Sequence, residues 1–262
     1  MLLFVAWLWV VPGWAAPDPF PQAAVAYLVK AGDAVLWEKA AHRRLPPASL
    51  TKIMTALLAL ERADPQALVT VRADAVTESG SKLGLRANDR LRVVDLLAAA
   101  LLASANDACH ALASHIAGDE GGFVVLMNRR AQELGLRDTH FSNACGHDDT
   151  RHYSSAYDLA SLTELALRNE VFAAIVSQRR LEIALADGSR TFRLENGNAL
   201  IDRFRGAVGV KTGYTQRAGK CLIALAQRGS VRVLLVMLNA PDRWWDADEM
   251  LSRAFAHVAR AA

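Results

Sequence analysis

Residues 206–240 read GAVGVKTGYTQRAGKCLIALAQRGSVRVLLVMLNA, and they predict much of a central sheet. Three apolar runs follow one another, and Arg228-Gly229-Ser230 separates the last two. Apolar runs joined by glycine-containing turns are typical of strands joined as hairpins. Lys211-Thr212-Gly213 lies inside the first run, where Gly213 would let a ligand backbone approach closely. The stretch therefore predicts three strands with a polar motif on the first of them.

The rest of the chain adds a hairpin at the start and helices in the middle. Residues 24–39, AVAYLVKAGDAVLWEK, contain two apolar runs around Ala31-Gly32-Asp33, and residues 179–196 repeat this pattern around Asp187-Gly188. LVTVRADAVT (68–77) is strand-like, whereas helical apolar spacing predominates between residues 49 and 167 and again near the end. The simplest arrangement is an α+β fold. One antiparallel sheet joins the two ends of the chain, helices flank it, and a cleft separates the sheet edge from the helical region.

Composition excludes several classes of function. The chain has 262 residues, of which 52% are hydrophobic and 22% charged, and its formal net charge is +3. These values suit a globular protein with a sizeable core. Because no Lys/Arg run is present, we exclude nucleic acid as a partner.

The N-terminus, MLLFVAWLWVVPGWAAPDPFP, resembles a secretory leader. The apolar run Leu2–Val11 is too short to span a bilayer, and small residues follow at Ala15 and Ala16. No Lys or Arg precedes the run, and a buried core strand is the alternative interpretation. We expect residues 1–16 to be a signal peptide, and no later stretch is long and apolar enough to be a membrane span.

Cysteine and histidine positions give no sign of a metal site. Cys109, Cys145 and Cys221 are far apart and lack metal-ligand spacing, and the seven histidines show no HxxxH pattern. Small buried thiols are the favoured interpretation, although the sequence leaves a disulfide between two of the three open. We therefore predict neither a metal nor another cofactor.

Ser49 and Lys52, in LPPASLTKIMTAL (45–57), stand three positions apart at the predicted start of a helix. Residues at i and i+3 share one helix face, so the two side chains can meet. A serine hydroxyl needs a base to act as a nucleophile, and a lysine serves only when it is neutral. Burial, the helix N-terminus and a second nearby cation all favour the neutral amine. Alone, this SxxK pattern is weak evidence.

Two further motifs strengthen the evidence that Ser49 is a nucleophile. Ser104 and Asn106 follow one apolar helix and precede another, so both can point into a cleft; the alternative is that one of them only caps the second helix. Lys211-Thr212-Gly213 has its own alternative, a surface lysine beside a turn. In the order SxxK, SxN, KTG, however, the three motifs match a known set for acyl transfer by an active-site serine.

With these motifs, the chain resembles the low-molecular-mass penicillin-binding proteins that are serine-type D-alanyl-D-alanine carboxypeptidases. The similarity extends from about Ala24 to Arg253 and includes segments around and beyond the three motifs. These are GSKLGLRANDRLRVVDLLAAALLASANDACHALA, LGLRDTHFSNACGHDDTRHYSSAYDLA, ENGNALI and GVKTGYTQRAGKCL. The resemblance implies a serine β-lactamase/transpeptidase-like fold, an antiparallel sheet with flanking helices and an active-site cleft against a helical region.

The resemblance also implies catalytic roles. Ser49 would attack the carbonyl between two D-alanines of a peptidoglycan stem peptide and form an acyl-enzyme, and Lys52 would take its proton. Ser104 would relay a proton to the leaving amine. β-Lactam antibiotics would acylate Ser49 as covalent inhibitors, and the resulting ester would turn over slowly.

Substrate binding is implied for a second group of residues. Asn106 would hold Lys52 and the substrate amide. Lys211 would favour the neutral form of Lys52 by its charge and attract the terminal carboxylate, to which Thr212 would donate a hydrogen bond. Gly213 belongs to the same binding strand, and the backbone N–H groups of Ser49 and Tyr214 would form the oxyanion hole.

The chain departs from the family's pattern at two places. His147 replaces an apolar residue, and we favour a surface substitution over a pH-sensitive group. Many members carry a second, β-rich domain and a membrane anchor, whereas here a helix with Trp244, Trp245, Leu251 and Phe255 precedes the last residue. We expect residues 17–262 to form a single catalytic domain and this helix to pack on the sheet. Membrane anchoring is the weaker alternative.

Arg243 would contact the substrate carboxylate or form a salt bridge.

Three rival functions remain. A class A β-lactamase needs a glutamate that activates water, but the nearest candidate, Glu164, lies in a regular helical pattern, and Ala105 replaces the aspartate of that class. A D,D-endopeptidase is poorly separated by motifs alone. A non-catalytic sensor domain has no need of Ser49, Lys52 and Lys211 together. We expect a secreted carboxypeptidase of the periplasm or cell envelope.

Overall fold

The structure is a computed structural model that describes residues 18–261. The expected signal peptide, residues 1–16, lies outside the described residues. Within residues 18–261, none of the helices combines the length and the apolar character needed to cross a membrane.

An antiparallel five-stranded sheet joins the two ends of the chain, with the order β2-β1-β9-β8-β7. The predicted α+β architecture is confirmed, because the first strand pairs directly with the last. The strands, in chain order, are β1 (Ala26–Ala31), β2 (Ala34–Lys39), β3 (Leu68–Thr70), β4 (Arg90–Arg92), β5 (Arg180–Ala184), β6 (Thr191–Glu195), β7 (Ala207–Thr215), β8 (Gly219–Arg228) and β9 (Val231–Leu238).

Helices cover both faces of the sheet. In chain order they are α1 (Lys52–Arg62), α2 (Ala73–Val76), α3 (Val93–Leu102), α4 (Asn106–Ala117), α5 (Glu120–Glu133), α6 (Ala156–Ala166), α7 (Glu170–Val176), α8 (Leu200–Arg203) and α9 (Arg243–Ala261). Of the strand-like stretch 68–77, only residues 68–70 form a strand, because residues 73–76 turn into the short helix α2.

Two apolar cores follow from the alternation of side chains along the strands. On one face, Leu28, Ile223 and Val236 pack with α1, α3 and α4 in the larger core. On the other, Tyr27 and Leu222 pack against α9 in the smaller core. Helix α9 therefore packs on the sheet as predicted.

Trp245 is an exception to that prediction, since 79% of it is exposed on the first turn of α9. Trp244, its neighbour, packs at the margin of the smaller core. Consecutive residues point about 100° apart on a helix, so the two tryptophans cannot both face the sheet.

Strand β7 is an edge of the sheet, and it lies against a single 3₁₀ turn, Ala48–Thr51, which leads into α1. We call Ala48–Thr51 the Ser49 turn. An edge strand leaves alternate backbone N–H and C=O groups without a partner strand. Ser49 therefore lies at the junction of the sheet edge and the helical region, where the cleft was predicted.

Candidate active site

The Ser49 turn holds its serine in an unusual backbone setting. Ala48, directly before Ser49, has φ +49°, a left-handed conformation that non-glycine residues seldom adopt. The Thr51 hydroxyl donates to the Ala48 carbonyl oxygen at 2.8 Å and closes the turn. Ser49 itself is half-buried. Such strain persists only where the surroundings impose it, and it often marks a functional site.

Lys52 is fully buried at the start of α1, and its Nζ has three oxygen neighbours. They are Ser49 Oγ at 3.1 Å, Asn106 Oδ1 at 2.7 Å and the Cys145 carbonyl oxygen at 2.7 Å. Asn106 Oδ1 and the Cys145 carbonyl can only accept hydrogen bonds. A neutral Lys52 would donate to these two and present its lone pair to the Ser49 hydroxyl, which is the geometry of a base beside a nucleophile.

Asn106 begins α4 but does not cap it. The N-cap residue is Ala105, and no side chain caps the helix, so the capping alternative for Ser104 and Asn106 is wrong. Asn106 Nδ2 donates to the Ser79 carbonyl oxygen at 2.5 Å, which fixes the amide orientation and leaves Oδ1 for Lys52. Ser104 has φ +59° and is partly exposed, and its hydroxyl makes no hydrogen bond within residues 18–261.

The Lys211-Thr212-Gly213 motif lies on β7, directly against the Ser49 turn. A Cβ added at Gly213 would stand 3.0 Å from Ala48 Cβ and 3.1 Å from the Ser49 backbone nitrogen. A larger residue would therefore push the neighbouring atoms away by a few tenths of an ångström, and glycine allows this close approach without that shift. Tyr214 follows on the strand with 64% of its surface exposed. The surface-lysine alternative for Lys211 is wrong, since Lys211 is 1% exposed.

The electrostatics of the site are set by two buried lysines. Neither Lys52 nor Lys211 forms an ion pair with a carboxylate of the described residues. Burial lowers the pKa of Lys211 well below its usual range, and the nearby charges of Lys52 and Arg243 lower it further. The Nζ of Lys211 has a hydrogen bond to the Thr212 carbonyl oxygen at 2.9 Å. Because no carboxylate of the described residues pairs with Lys211, this lysine can attract the carboxylate of a ligand that enters the site.

Arg243 approaches the motif from the first turn of α9. Its Nη1 donates to the Gly213 carbonyl oxygen at 2.8 Å and to the Cys221 carbonyl oxygen at 3.1 Å, while its Nε is buried without a partner within residues 18–261. Burial lowers its pKa. The salt-bridge alternative is wrong, because these partners are backbone carbonyls. Contact with a substrate carboxylate stays a prediction.

Sequence reasoning missed two groups that support the site. The first is the Cys145 carbonyl oxygen, which no side-chain pattern could reveal. The second is His152, which lies 2.8 Å from Thr51 Oγ1 and accepts the Ser142 N–H on Nδ1 at 2.9 Å. Burial lowers the pKa of His152 to about 4. A neutral His152 thus donates to Thr51 from Nε2 and holds the Ser49 turn.

His147 is not the surface substitution that we expected. Its Nε2 lies 2.6 Å from Glu78 Oε2, and about a third of its side chain is exposed. The other oxygen of Glu78 lies 2.7 Å from His110 Nδ1. The prediction failed because Glu78 is 69 positions away in the sequence.

One group among the described residues has the chemistry of metal ligands: Glu78, His110 and Glu120 place one ligand atom each within 4.8 Å of the others. Their atoms already have partners, since both Glu78 oxygens face histidines and Glu120 Oε1 accepts the Ala144 N–H at 2.9 Å. We therefore assign the group to hydrogen bonding. The three cysteines are buried and free.

Glu164 does not serve the site. Its carboxylate forms an ion pair with Lys30 of β1 at 2.7 Å. This pair lies apart from the Ser49 turn, so the structure offers Glu164 no role in activating a water there.

Comparison with known proteins gives consistent results. The family described as D-alanyl-D-alanine carboxypeptidase, peptidase S11, matches residues 16–242. D-alanyl-D-alanine carboxypeptidase DacF of Bacillus subtilis is 37% identical over 230 residues, which are 85% of this chain and 59% of DacF. The D-alanyl-D-alanine carboxypeptidase of Streptomyces strain K15 is 31% identical over 275 residues, 97% of this chain and 94% of that protein.

The fold comparison agrees. The crystal structure of the Streptomyces K15 DD-transpeptidase superposes with a TM-score of 0.83 and 32% identity, covering 89% of this chain and 98% of that one. This chain spans somewhat more than half the length of DacF. The match over residues 16–242, together with these identities, shows that the chain belongs to the D-alanyl-D-alanine carboxypeptidase family, peptidase S11.

Proposed function

We propose that this protein is a serine-type D-alanyl-D-alanine carboxypeptidase that removes the terminal D-alanine from peptidoglycan stem peptides. The observation that carries the proposal is the 3.1 Å contact between Lys52 Nζ and Ser49 Oγ, beside the edge strand β7. Family membership supports the reaction class, and the arrangement of the three motifs supports the roles of the residues.

Acylation uses the serine and the buried lysine. Ser49 Oγ attacks the carbonyl carbon between the two D-alanines, and Lys52 Nζ takes the hydroxyl proton. The C–N bond then breaks, the leaving D-alanine amine receives that proton through the Ser104 hydroxyl, and an ester remains on Ser49. The backbone N–H groups of Ser49 and Tyr214 stabilise the negative charge that develops on the carbonyl oxygen.

Substrate binding follows from the open edge of β7. An extended peptide adds to an edge strand through backbone hydrogen bonds, and Asn106 contacts its amide. The terminal carboxylate lies near Lys211, Thr212 and Arg243. This carboxylate favours the charged form of Lys211, whose pKa burial lowers in the free protein.

Water then hydrolyses the ester. A β-lactam acylates Ser49 in the same way, but its leaving amine stays attached to the acyl group, so the ester turns over slowly. The ion pair between Glu164 and Lys30 argues against class A β-lactamase deacylation, which depends on a glutamate.

The proposed location is the cell envelope, where stem peptides are found. The apolar leader within residues 1–16 supports export across the inner membrane into the periplasm. A single catalytic domain over residues 17–262 remains part of the proposal.

The test combines a labelled penicillin with a D-Ala-D-Ala peptide. The protein without its leader is incubated with fluorescent penicillin, and peptide mapping by mass spectrometry locates the adduct. Release of D-alanine from diacetyl-Lys-D-Ala-D-Ala is measured in parallel, and Ser49→Ala is the control. We expect one adduct, on Ser49, and D-alanine release that the control lacks.

The other outcomes point to the rival functions. No adduct on Ser49 would refute the serine acyl-enzyme. Rapid penicillin turnover without D-alanine release would assign the protein as a β-lactamase. Cleavage of cross-linked muropeptide dimers, with no release from the monomeric peptide, would assign it as an endopeptidase. An adduct that forms without any hydrolysis of either peptide would favour a sensor.

A further inference from the structure

Glu78 joins three separate parts of the chain through one carboxylate. Its Oε1 lies 2.7 Å from His110 Nδ1 on α4, and its Oε2 lies 2.6 Å from His147 Nε2. Glu78 follows α2, and its side chain is only 11% exposed. We call Glu78, His110 and His147 the Glu78 bridge.

Each member of the Glu78 bridge stands close in sequence to a group that holds Lys52 or Asn106. Glu78 precedes Ser79, whose carbonyl oxygen accepts the Asn106 Nδ2 hydrogen at 2.5 Å. His110 lies one helical turn after Asn106 on α4. On the third side, His147 follows Cys145 by two positions, and the Cys145 carbonyl oxygen contacts Lys52 Nζ at 2.7 Å.

The loop that carries Cys145 and His147 is held by several side chains, among them Glu120 at Ala144 and His152 at Ser142, and the Glu78 bridge adds its link to α4 and to the segment after α2. Residues 142–149 form neither a helix nor a strand, so their backbone lacks the regular hydrogen bonds of those elements. Gly146 nevertheless packs on the Ser49 turn, since an added Cβ there would stand 2.0 Å from the Ala48 carbonyl oxygen. A shift of this loop would therefore move both the Ser49 turn and the acceptor of Lys52.

The charges around the bridge hold it together. Burial alone would raise the pKa of Glu78, but hydrogen bonds from His110 and His147 outweigh burial and lower it to about 2. Asp74 Oδ2 lies 3.9 Å from His110 Nε2, and Glu120 is close to the same ring. The pKa of His110 is raised, with the hydrogen bond to Glu78 as the main cause. Charge-assisted hydrogen bonds of this kind are stronger than neutral ones.

We propose that Glu78 is a positioning residue for acylation, which holds the Ser79 and Cys145 carbonyls at the distances that orient Asn106 and Lys52. This inference rests on the proposed function. Glu78 contacts neither the substrate nor the reacting atoms. It acts by fixing the base relative to Ser49, and a misplacement of about 1 Å at such a site costs about 100-fold in rate.

The test is the acylation of the protein by fluorescent penicillin, resolved into the noncovalent constant K and the acylation rate constant k2. Glu78→Gln keeps the size of the side chain but removes the charge that both histidines face. We expect k2 to fall about 10- to 100-fold. K should change much less than k2, because β7 and its carboxylate-binding residues are unchanged and only the amide contact of Asn106 is affected.

Glu61→Gln is the matched control. Glu61 also forms an ion pair, with Arg130 Nη2 at 2.8 Å, but this pair lies on the surface between α1 and α5. Its k2 should equal that of the wild type. The labelled fraction at saturating penicillin is measured for every variant, because a merely structural defect lowers this fraction and leaves the k2 of the folded protein unchanged.

Failure of the proposed function and failure of the role of Glu78 give different results in this test. If the wild type forms no adduct, the proposed function itself is refuted. If the wild type is acylated and folded Glu78→Gln has the same k2, only the role of Glu78 is refuted. Should Glu78→Gln not fold, His147→Leu cuts the link to the loop at a partly exposed position, and a k2 equal to the wild-type value in that variant refutes the proposal.

Discussion

Lys52 Nζ and Asn106 Oδ1 are 2.7 Å apart, although 54 positions separate the two residues in the chain. The acceptor is a neutral amide oxygen, so it orients the lysine without adding negative charge. No carboxylate of residues 18–261 forms an ion pair with this lysine. Neutral acceptors, the Asn106 amide and the Cys145 carbonyl, thus orient Lys52 toward Ser49.

Asn106→Asp should therefore impair acylation at neutral pH. A nearby opposite charge favours the charged form of an ionisable group and typically moves its pKa by about 1–3. We expect acylation by penicillin at pH 7 to fall at least about tenfold and to recover in part as the pH is raised toward 9. The measurement is the rate of adduct formation as a function of pH.

The control for this variant is Gln66→Glu, which adds a carboxylate on the surface between α1 and β3. Its pH profile should coincide with that of the wild type. A profile of Asn106→Asp that is lower at every pH without any shift would contradict the electrostatic explanation.

Gly213→Ala should disturb the contact between β7 and the Ser49 turn. We expect it to lower acylation while it leaves global stability nearly unchanged. The new Cβ would stand 3.1 Å from the Ser49 backbone nitrogen, a proposed oxyanion donor. Loss of one such donor costs about 100- to 1,000-fold in rate, so we expect a loss of that order in acylation. The melting temperature should change little, because the neighbouring atoms need to move only a few tenths of an ångström.

Gly121→Ala on α5 is the companion substitution, since the atom nearest to its Cβ is Asp119 Oδ1 at 3.5 Å. It should leave acylation unchanged and raise helix stability slightly. Equal acylation by both variants would show that the added methyl group leaves the Ser49 N–H in place, and would contradict the prediction that this contact controls acylation.

Lys211→Met should stabilise the fold while it weakens activity. The pKa of Lys211 is lowered by burial, so below its unfolded value of 10.5 the unfolded chain binds a proton that the folded chain binds less readily. The buried lysine therefore lowers the free energy of unfolding at pH 7, and this loss vanishes as the pH rises through 10.5. We expect the free energy of unfolding of the variant to exceed that of the wild type by about 1–3 kcal/mol at pH 7.

Urea unfolding at pH 7 and pH 10 checks this sign, and penicillin acylation should fall more than about tenfold because the carboxylate loses its cation. A variant less stable than the wild type at pH 7 would show that the native lysine is fully compensated by its surroundings.

His152 should make the protein sensitive to mild acid. Burial lowers its pKa from 6.5 to about 4, so the unfolded chain takes up a proton between these values and the folded chain does not. The contribution of neutral His152 is complete above pH 6.5 and is lost as the pH falls to 4, by about 3 kcal/mol at most. Protonation would also oppose the Ser142 N–H that Nδ1 accepts.

Urea unfolding of the wild type and of His152→Asn between pH 4 and pH 8 measures this dependence. The stability of the wild type should fall more steeply with acid than that of the variant. Parallel curves for the two proteins would mean that His152 titrates normally in the fold.

Local sequence patterns were sufficient to predict much of the structure. The hairpin around Gly32, the three strands of residues 206–240 and the pairing of Ser49 with Lys52 depend on periodicity and on spacing along one element, and all are present. Trp245 was misplaced because helix period alone does not tell which neighbour faces the sheet. The contacts of His147 and His152 join residues many positions apart, so no local pattern contained them.

The sequence alone was enough to determine the α+β class, the family resemblance and the three motifs, because each depends on residue type and on short spacing. Only the tertiary structure decided what surrounds the reacting groups. The Cys145 carbonyl beside Lys52 is a backbone atom, and the carboxylate of Glu78 meets two histidines from distant segments. Such contacts arise when separate segments pack against one another, and their distances are set by packing of the whole chain.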